Sequence, residues 1–116
     1  MAKVSNQIDE ARQIFNDFDV DQAYVKAKHL STAGGDYAKF NYGSKIDAEM
    51  VLKNTIKRGD IVTTTYEGVT KMGNVSYRYI LNAHQVIGTK GETFIRIILA
   101  KDGGMLSAFP VFIEEE

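Results

Sequence analysis

The 116-residue chain contains no cysteine and only one proline. Without thiols it has no thiolate zinc site, iron–sulfur cluster, cysteine nucleophile or disulfide scaffold. Its apolar runs, such as residues 94–100, are interrupted or far shorter than the roughly 20 residues of a membrane-spanning helix. Residues 1–15 lack an apolar segment followed by a small-residue cleavage site, so we predict no membrane span and no standard signal peptide.

The length and the 44% content of apolar residues are typical of one compact domain spanning residues 1–116. A net charge of −1 conceals an uneven distribution, because residues 26–58 carry seven basic and three acidic groups while residues 102–116 carry four acidic groups and no basic one. A basic middle favours a positive face that attracts a polyanion. Charges scattered over a solvated surface are the alternative.

Two segments place apolar residues at helical spacing. The first runs from about Ser5 to Phe18, with Ser5 as its cap. The second begins where Ser44 and Asp47 resemble a capping box, and it ends at Gly59. We also predict a short helical piece over residues 21–29.

From Asp60 onward the chain changes to β-branched and aromatic runs separated by glycine-containing turns. The five runs are residues 61–66, 76–82, 84–88, 93–100 and 105–113. Helices followed by strands predict an α+β domain, in which N-terminal helices pack on one face of a twisted antiparallel sheet of four to five strands.

The segment KAKH places Lys26, Lys28 and His29 within four residues, and Lys39 follows a Gly34-Gly35 turn. Positive neighbours disfavour protonation of a histidine and keep it available as a neutral base. Cleavage of RNA by its own 2′-hydroxyl requires such a base, an acid for the leaving oxygen and cations for the phosphate. The alternative is a helix whose lysines face solvent and whose terminal histidine is favoured by the helix dipole.

Polar residues on the last strands are further candidates. The guanidinium of Arg96, with the hydroxyls of Thr93 and Ser107, is suited to hold phosphate oxygens on an exposed sheet face. Arg78 alternates with Tyr77, which offers a ring for base stacking. Ordinary strand positions are the alternative for Arg96, Thr93 and Ser107, and a place in the core is the alternative for the tyrosine.

Two loops carry weaker signals. Gly88 and Gly91 bracket Lys90 in a turn where backbone N–H groups and a lysine can meet a phosphate, although the pattern is not a P-loop. His84 is the second histidine, and it is either an acid partner or a structural residue at a strand edge. No histidine or carboxylate pair has a recognisable metal-ligand spacing, so neither metal nor cofactor is predicted.

Two segments resemble a known family. KAKHLSTAGG…AKF is similar to the Lys-x-Lys-His segment of colicin D-like transfer-RNA nucleases. GTKGETFIRIILAKDGGMLSAFPV resembles the closing strands of C-terminal toxin domains from contact-dependent inhibition and other polymorphic toxin systems. These domains belong to the barnase/EndoU/colicin/RelE-like ribonuclease superfamily, whose members pack N-terminal helices against an antiparallel sheet.

The resemblance implies a role for each matching residue. His29 would be the acid/base, Lys28 and Lys26 would stabilise the phosphate, and Lys39 would be a further cation. The residues that would hold the scissile phosphate or position the attacking hydroxyl are Thr93, Arg96 and Ser107. The chain is less basic than many such toxins, and the second proton-transfer residue is unassigned.

The resemblance also implies a function. We expect a metal-independent endoribonuclease toxin that cleaves transfer RNA, leaves a 2′,3′-cyclic phosphate and is neutralised by a cognate immunity protein. It would be the C-terminal part of a larger secreted or surface protein and act in the cytoplasm of a target cell. The alternative is a non-catalytic α+β binding module, of an immunity or phage-associated type, whose basic middle contacts a partner or RNA without chemistry.

Overall fold

The computed structural model describes the backbone of residues 2–113 and the side chains of residues 9–113. The elements are helix α1 (Ala2–Asp17), helix α2 (Lys45–Arg58) and the strands β1 (Ile61–Val69), β2 (Val75–Asn82), β3 (Phe94–Ala100) and β4 (Met105–Val111). The strands form one antiparallel sheet in the order β1-β2-β3-β4. The α+β fold class, with helices before an antiparallel meander, is confirmed. Within the described part of the chain, neither helix is long and apolar enough to cross a membrane.

Both ends of α2 follow the sequence pattern. The Ser44 hydroxyl accepts a hydrogen bond from the backbone N–H of Asp47 at 3.4 Å, which caps the first turn. Gly59 ends the helix in the left-handed region, at φ 70°, where a residue without Cβ is favoured. Helix α1 begins at Ala2, three residues before the predicted cap, so Ser5 lies inside it.

The predicted helix over residues 21–29 is wrong. The segment contains two short 3₁₀ turns, Val20–Gln22 and Ala27–His29, joined by extended backbone. The backbone N–H of Val25 donates to the carboxylate of Glu49 on α2 at 2.9 Å, and Val25 itself is fully buried. Docking against α2 therefore replaces the local helical hydrogen bonds.

The predicted strand over residues 84–88 is also wrong, and the sheet has four strands. His84 adopts a left-handed backbone at φ 59°, which interrupts an extended run. The N–H groups of Ile87 and Gly88 both donate to the Glu92 carbonyl, closing a local turn. A single bridge between Gly88 and Phe40 is the β-type pairing that remains there.

The core lies between the helices and one face of the sheet. Alternate residues of the central strands are buried there, including Tyr77, Tyr79, Ile95 and Ile97. They join one hydrophobic cluster with residues of both helices. The other face presents Arg96 and its neighbours, as the alternation along β3 predicts.

Candidate functional site: a histidine and cationic side chains on the open sheet face

The register of the sheet sets two rows of side chains on the face away from the helices. In one row Arg78 on β2 and Ser107 on β4 both lie opposite Ile98 on β3. In the next row Arg96 lies between Ile80 and Phe109. Since side chains two residues apart share a face, Arg78, Arg96, Ser107 and Phe109 all lie on this face, with Arg96 on the central strand between the other two strands.

Phe109 connects the sheet to the histidine. The ring of His29 stacks on the Phe109 ring, with centroids 5.2 Å apart and planes 29° apart. The guanidinium carbon of Arg96 lies 5.2 Å from the centroid of the same ring. Two predicted site residues that are 67 positions apart in the sequence therefore contact one aromatic side chain.

The hydrogen bonding of His29 fixes its tautomer. Its Nδ1 lies 2.6 Å from the backbone carbonyl oxygen of Ala38, which only accepts hydrogen bonds, so Nδ1 carries the proton of the neutral ring. Nε2, which accepts no hydrogen bond from the described residues, then carries the lone pair of a base. The residue is only 5% exposed.

Burial is the main cause of the lowered pKa of His29, and the charges of Lys28, Lys26 and Lys39 lower it further. The hydrogen bond to Ala38 acts in the opposite direction without reversing the shift. The ring is therefore neutral at pH 7, because a pKa below the ordinary 6.5 leaves the unprotonated form dominant. The structure thus brings the three predicted lysines within electrostatic range of His29.

The guanidinium of Arg96 is not saturated by the protein. Its Nε–H is buried and has no hydrogen-bond partner among the described residues. Its terminal nitrogen lies 4.0 Å from a carboxylate oxygen of Glu67, whereas Arg78 holds the same oxygen at 3.0 Å from both Nε and a terminal nitrogen. Burial and the charge of Arg78 lower the pKa of Arg96, and Glu67 partly offsets this. Arg78 is thus neutralised by Glu67, whereas Glu67 lies farther from Arg96 and neutralises it less.

Two further predicted residues, Thr93 and Lys90, lie in the segment that precedes β3. Thr93 is half-buried just before β3, and its backbone carbonyl accepts a hydrogen bond from Ala83 at 3.0 Å. Lys90 is exposed on the turn next to Lys39, because the N–H of Thr89 donates to the Lys39 carbonyl. Among the described residues, no hydrogen bond joins either side chain to His29 or Arg96.

Tyr77 is not brought to this site. It faces the helices, is 2% exposed, and its hydroxyl donates to the carboxylate of Glu10 on α1 at 2.9 Å. Burial and then Glu10 raise the pKa of Tyr77 to about 12, so it remains a donor. His84 lies elsewhere as well, exposed and paired with Asp60.

The side chain of Glu92 fills the Gly88–Gly91 turn. The buried carboxylate of Glu92 accepts a hydrogen bond from the N–H of Lys90 at 2.8 Å. A Cβ on Gly88 would clash with that same oxygen, so the glycine makes room for the carboxylate. The backbone donor that the sequence suggested for a phosphate is thus occupied by Glu92.

The sequence did not predict the roles of Phe109, Glu67 and Glu92. Their roles depend on strand register and on loop conformation, neither of which residue spacing specifies. Within the residues whose side chains are described, no group of three histidine, aspartate or glutamate side chains forms a metal-ligand cluster.

Comparison with known proteins identifies no relative: no family model matches the chain, and no curated protein or solved structure matches it.

Proposed function

We propose that the chain is a metal-independent endoribonuclease in which His29 is the general base. The observation that carries the proposal is the His29–Phe109–Arg96 arrangement, in which a neutral histidine and an unsaturated guanidinium share one ring within a group of lysines. A base of this kind and fixed cations are what attack by a ribose 2′-hydroxyl requires.

In the proposed reaction, Nε2 of His29 takes the proton of the 2′-hydroxyl, and the 2′-oxygen attacks the adjacent phosphorus. The bond from phosphorus to the 5′-oxygen breaks, and that oxygen takes up a proton. The products are a 2′,3′-cyclic phosphate and a 5′-hydroxyl. Arg96 and the lysines stabilise the charge that develops on the phosphate oxygens.

The resemblance to nuclease toxins adds a substrate, a partner and a place of action to this proposal. Transfer RNA is the proposed substrate, and a cognate immunity protein is the proposed partner, with acidic groups where it covers the cationic side chains. The chain would act in the cytoplasm of a target cell after delivery as part of a larger toxin.

A second candidate is a non-catalytic binding module, and the burial of His29 favours it. A histidine that is 5% exposed, stacked on Phe109 and bonded to a backbone carbonyl also has the features of a structural residue. Such a module would bind RNA or an acidic partner without forming a product.

The test is cleavage of total transfer RNA in EDTA by the wild type, His29→Asn and His84→Asn. An asparagine amide in place of the His29 ring retains a donor for the Ala38 carbonyl but has no base, so we expect cleavage to fall by at least about 100-fold. His84→Asn is the matched control, because asparagine tolerates the left-handed backbone at that position and His84 is paired with Asp60.

Fragments from the wild type and from His84→Asn should end in 2′,3′-cyclic phosphate. Circular dichroism establishes that each variant is folded. Intact RNA with excess wild type, or undiminished cleavage by folded His29→Asn, would refute the proposed mechanism, and saturable binding without product would favour the binding module.

A further inference from the structure

An exposed tyrosine stands beside the candidate base. Tyr37 is 51% exposed, and its ring is perpendicular to that of His29, with an interplanar angle of 83° and centroids 6.2 Å apart. The ammonium nitrogen of Lys28 lies 4.7 Å from the centroid of the Tyr37 ring. The aromatic surface is therefore presented to solvent next to both the base and a cation.

The backbone of the same loop passes close to this ring. Gly35 has a left-handed backbone at φ 85°, and a Cβ there would lie 3.3 Å from two atoms of the Tyr37 ring. The carbonyl of Gly35 accepts a hydrogen bond from the Lys39 ammonium. The residue after Tyr37 is Ala38, whose carbonyl accepts the hydrogen bond from His29. The backbone on both sides of Tyr37 is thus bonded to Lys39 and His29, which belong to the candidate site.

We propose that Tyr37 is a stacking platform for an unpaired nucleobase next to the phosphate at His29, so that the substrate class is single-stranded RNA or a loop. This inference rests on the proposed function, because it adds a base-binding position to the same site. Every base has a π-face, so stacking selects for strand state rather than for sequence. A base within a duplex is already stacked and paired, and Tyr37 cannot reach its face.

Lys28 indicates where the nucleotide backbone would lie relative to the Tyr37 ring. An ammonium over an aromatic face is held there by the ring quadrupole, at a position where it also meets the backbone of a nucleotide. The base would then stack on the exposed part of Tyr37, with its phosphate between Lys28 and His29.

The test is the binding of fluorescein-labelled 2′-O-methyl RNA, which cannot be cleaved by 2′-hydroxyl attack, as a single strand and as a duplex. We expect the wild type and Tyr37→Phe to prefer the single strand. Tyr37→Ala should lose about 5- to 150-fold in single-strand affinity, since a base stacked on an aromatic ring contributes roughly that much. The matched control is Tyr66→Ala, because Tyr66 is 46% exposed and lies edge-on to Tyr77, away from the site.

Equal affinities of Tyr37→Ala and the wild type, or an equal loss on single strand and duplex, would overturn the inference. The result is separable from the cleavage experiment. If RNA is cleaved and neither cleavage nor binding depends on Tyr37, the stacking role is wrong and the ribonuclease proposal stands. If binding depends on Tyr37 but no RNA is cleaved, the base-binding site stands and the ribonuclease proposal is wrong.

Discussion

At the scale of single residues, His29 combines two effects that act in the same direction. The sequence predicts the electrostatic one, because Lys26 and Lys28 are its near neighbours. The larger effect is burial, which depends on stacking against Phe109 from the last strand. Together they keep the ring neutral where a free histidine would begin to gain a proton.

The lowered pKa of His29 predicts a pH-dependent stability. The unfolded chain binds a proton at His29 near pH 6.5 and the folded chain binds it only at lower pH, so acidification favours unfolding. The stabilisation is complete above pH 6.5 and is lost as the pH falls through the folded-state pKa. Urea unfolding at pH 7.5 and at lower pH values should show this loss in the wild type.

His29→Asn provides the reference for that measurement. The variant does not titrate at this position but retains His84 and every carboxylate, so the difference between the two proteins isolates His29. A wild type and a variant that lose stability in parallel as the pH falls would contradict the assignment.

At the scale of elements, strand β2 places two consecutive residues on opposite faces of the sheet. Arg78 lies on the open face with Arg96, and Tyr77 lies on the helix-covered face. The Tyr77 hydroxyl connects β2 to α1 through Glu10, whose other oxygen accepts from Lys101 at 3.1 Å. The hydrogen bond from Lys101, and after it the one from Tyr77, lowers the pKa of Glu10. This cluster anchors the first helix to the sheet.

Tyr77→Phe should therefore lower the free energy of unfolding by about 1–2 kcal/mol, because it removes a hydrogen bond to a charged acceptor. Transfer-RNA cleavage should be unchanged, since the ring points away from Arg96. Tyr66→Phe, which removes an exposed hydroxyl from the same tyrosine pair, should change stability by much less. Urea denaturation measures both variants, and equal effects would contradict the anchoring role.

At the scale of the whole molecule, the small net charge is compatible with a local cationic surface. The basic groups of residues 26–39 act together on His29, and Arg96 adds a charge from the sheet. The acidic groups Asp60, Glu49 and Glu10 are engaged elsewhere, with His84, Val25 and Tyr77. Glu67 lies on the same face and neutralises Arg78, so the positive charge that remains there comes from Arg96 and the lysines. A local excess of positive charge of this kind favours the binding of a polyanion.

The salt dependence of RNA binding tests this surface. The affinity for single-stranded 2′-O-methyl RNA should fall linearly on a logarithmic scale as salt increases, and Lys26→Gln should reduce the slope by about 0.7. Lys57→Gln is the matched control, because this exposed lysine lies on α2, on the other face of the sheet. Fluorescence anisotropy at several salt concentrations measures the slopes, and equal changes in both variants would show that the cationic surface is not the binding face.

Local patterns were sufficient for several elements. The hydroxyl cap at Ser44 and the left-handed end at Gly59 depend on residues a few positions apart, and both ends of α2 follow from them. The alternation along β3 separated the buried Ile95 and Ile97 from Arg96 for the same reason. The 21–29 and 84–88 segments did not follow their local patterns, because Glu49 and Glu92 redirect their backbone hydrogen bonds.

The α+β order, the antiparallel strands and the residue types of the candidate site follow from the sequence alone, because they depend on periodicity and on side-chain chemistry. Which of those residues meet is determined only by the folded chain. Register placed Phe109 opposite Arg96, loop docking stacked His29 on the same ring, and the pleat turned Tyr77 to the core. Contacts between residues far apart in the chain arise from packing in three dimensions, and no local spacing encodes them.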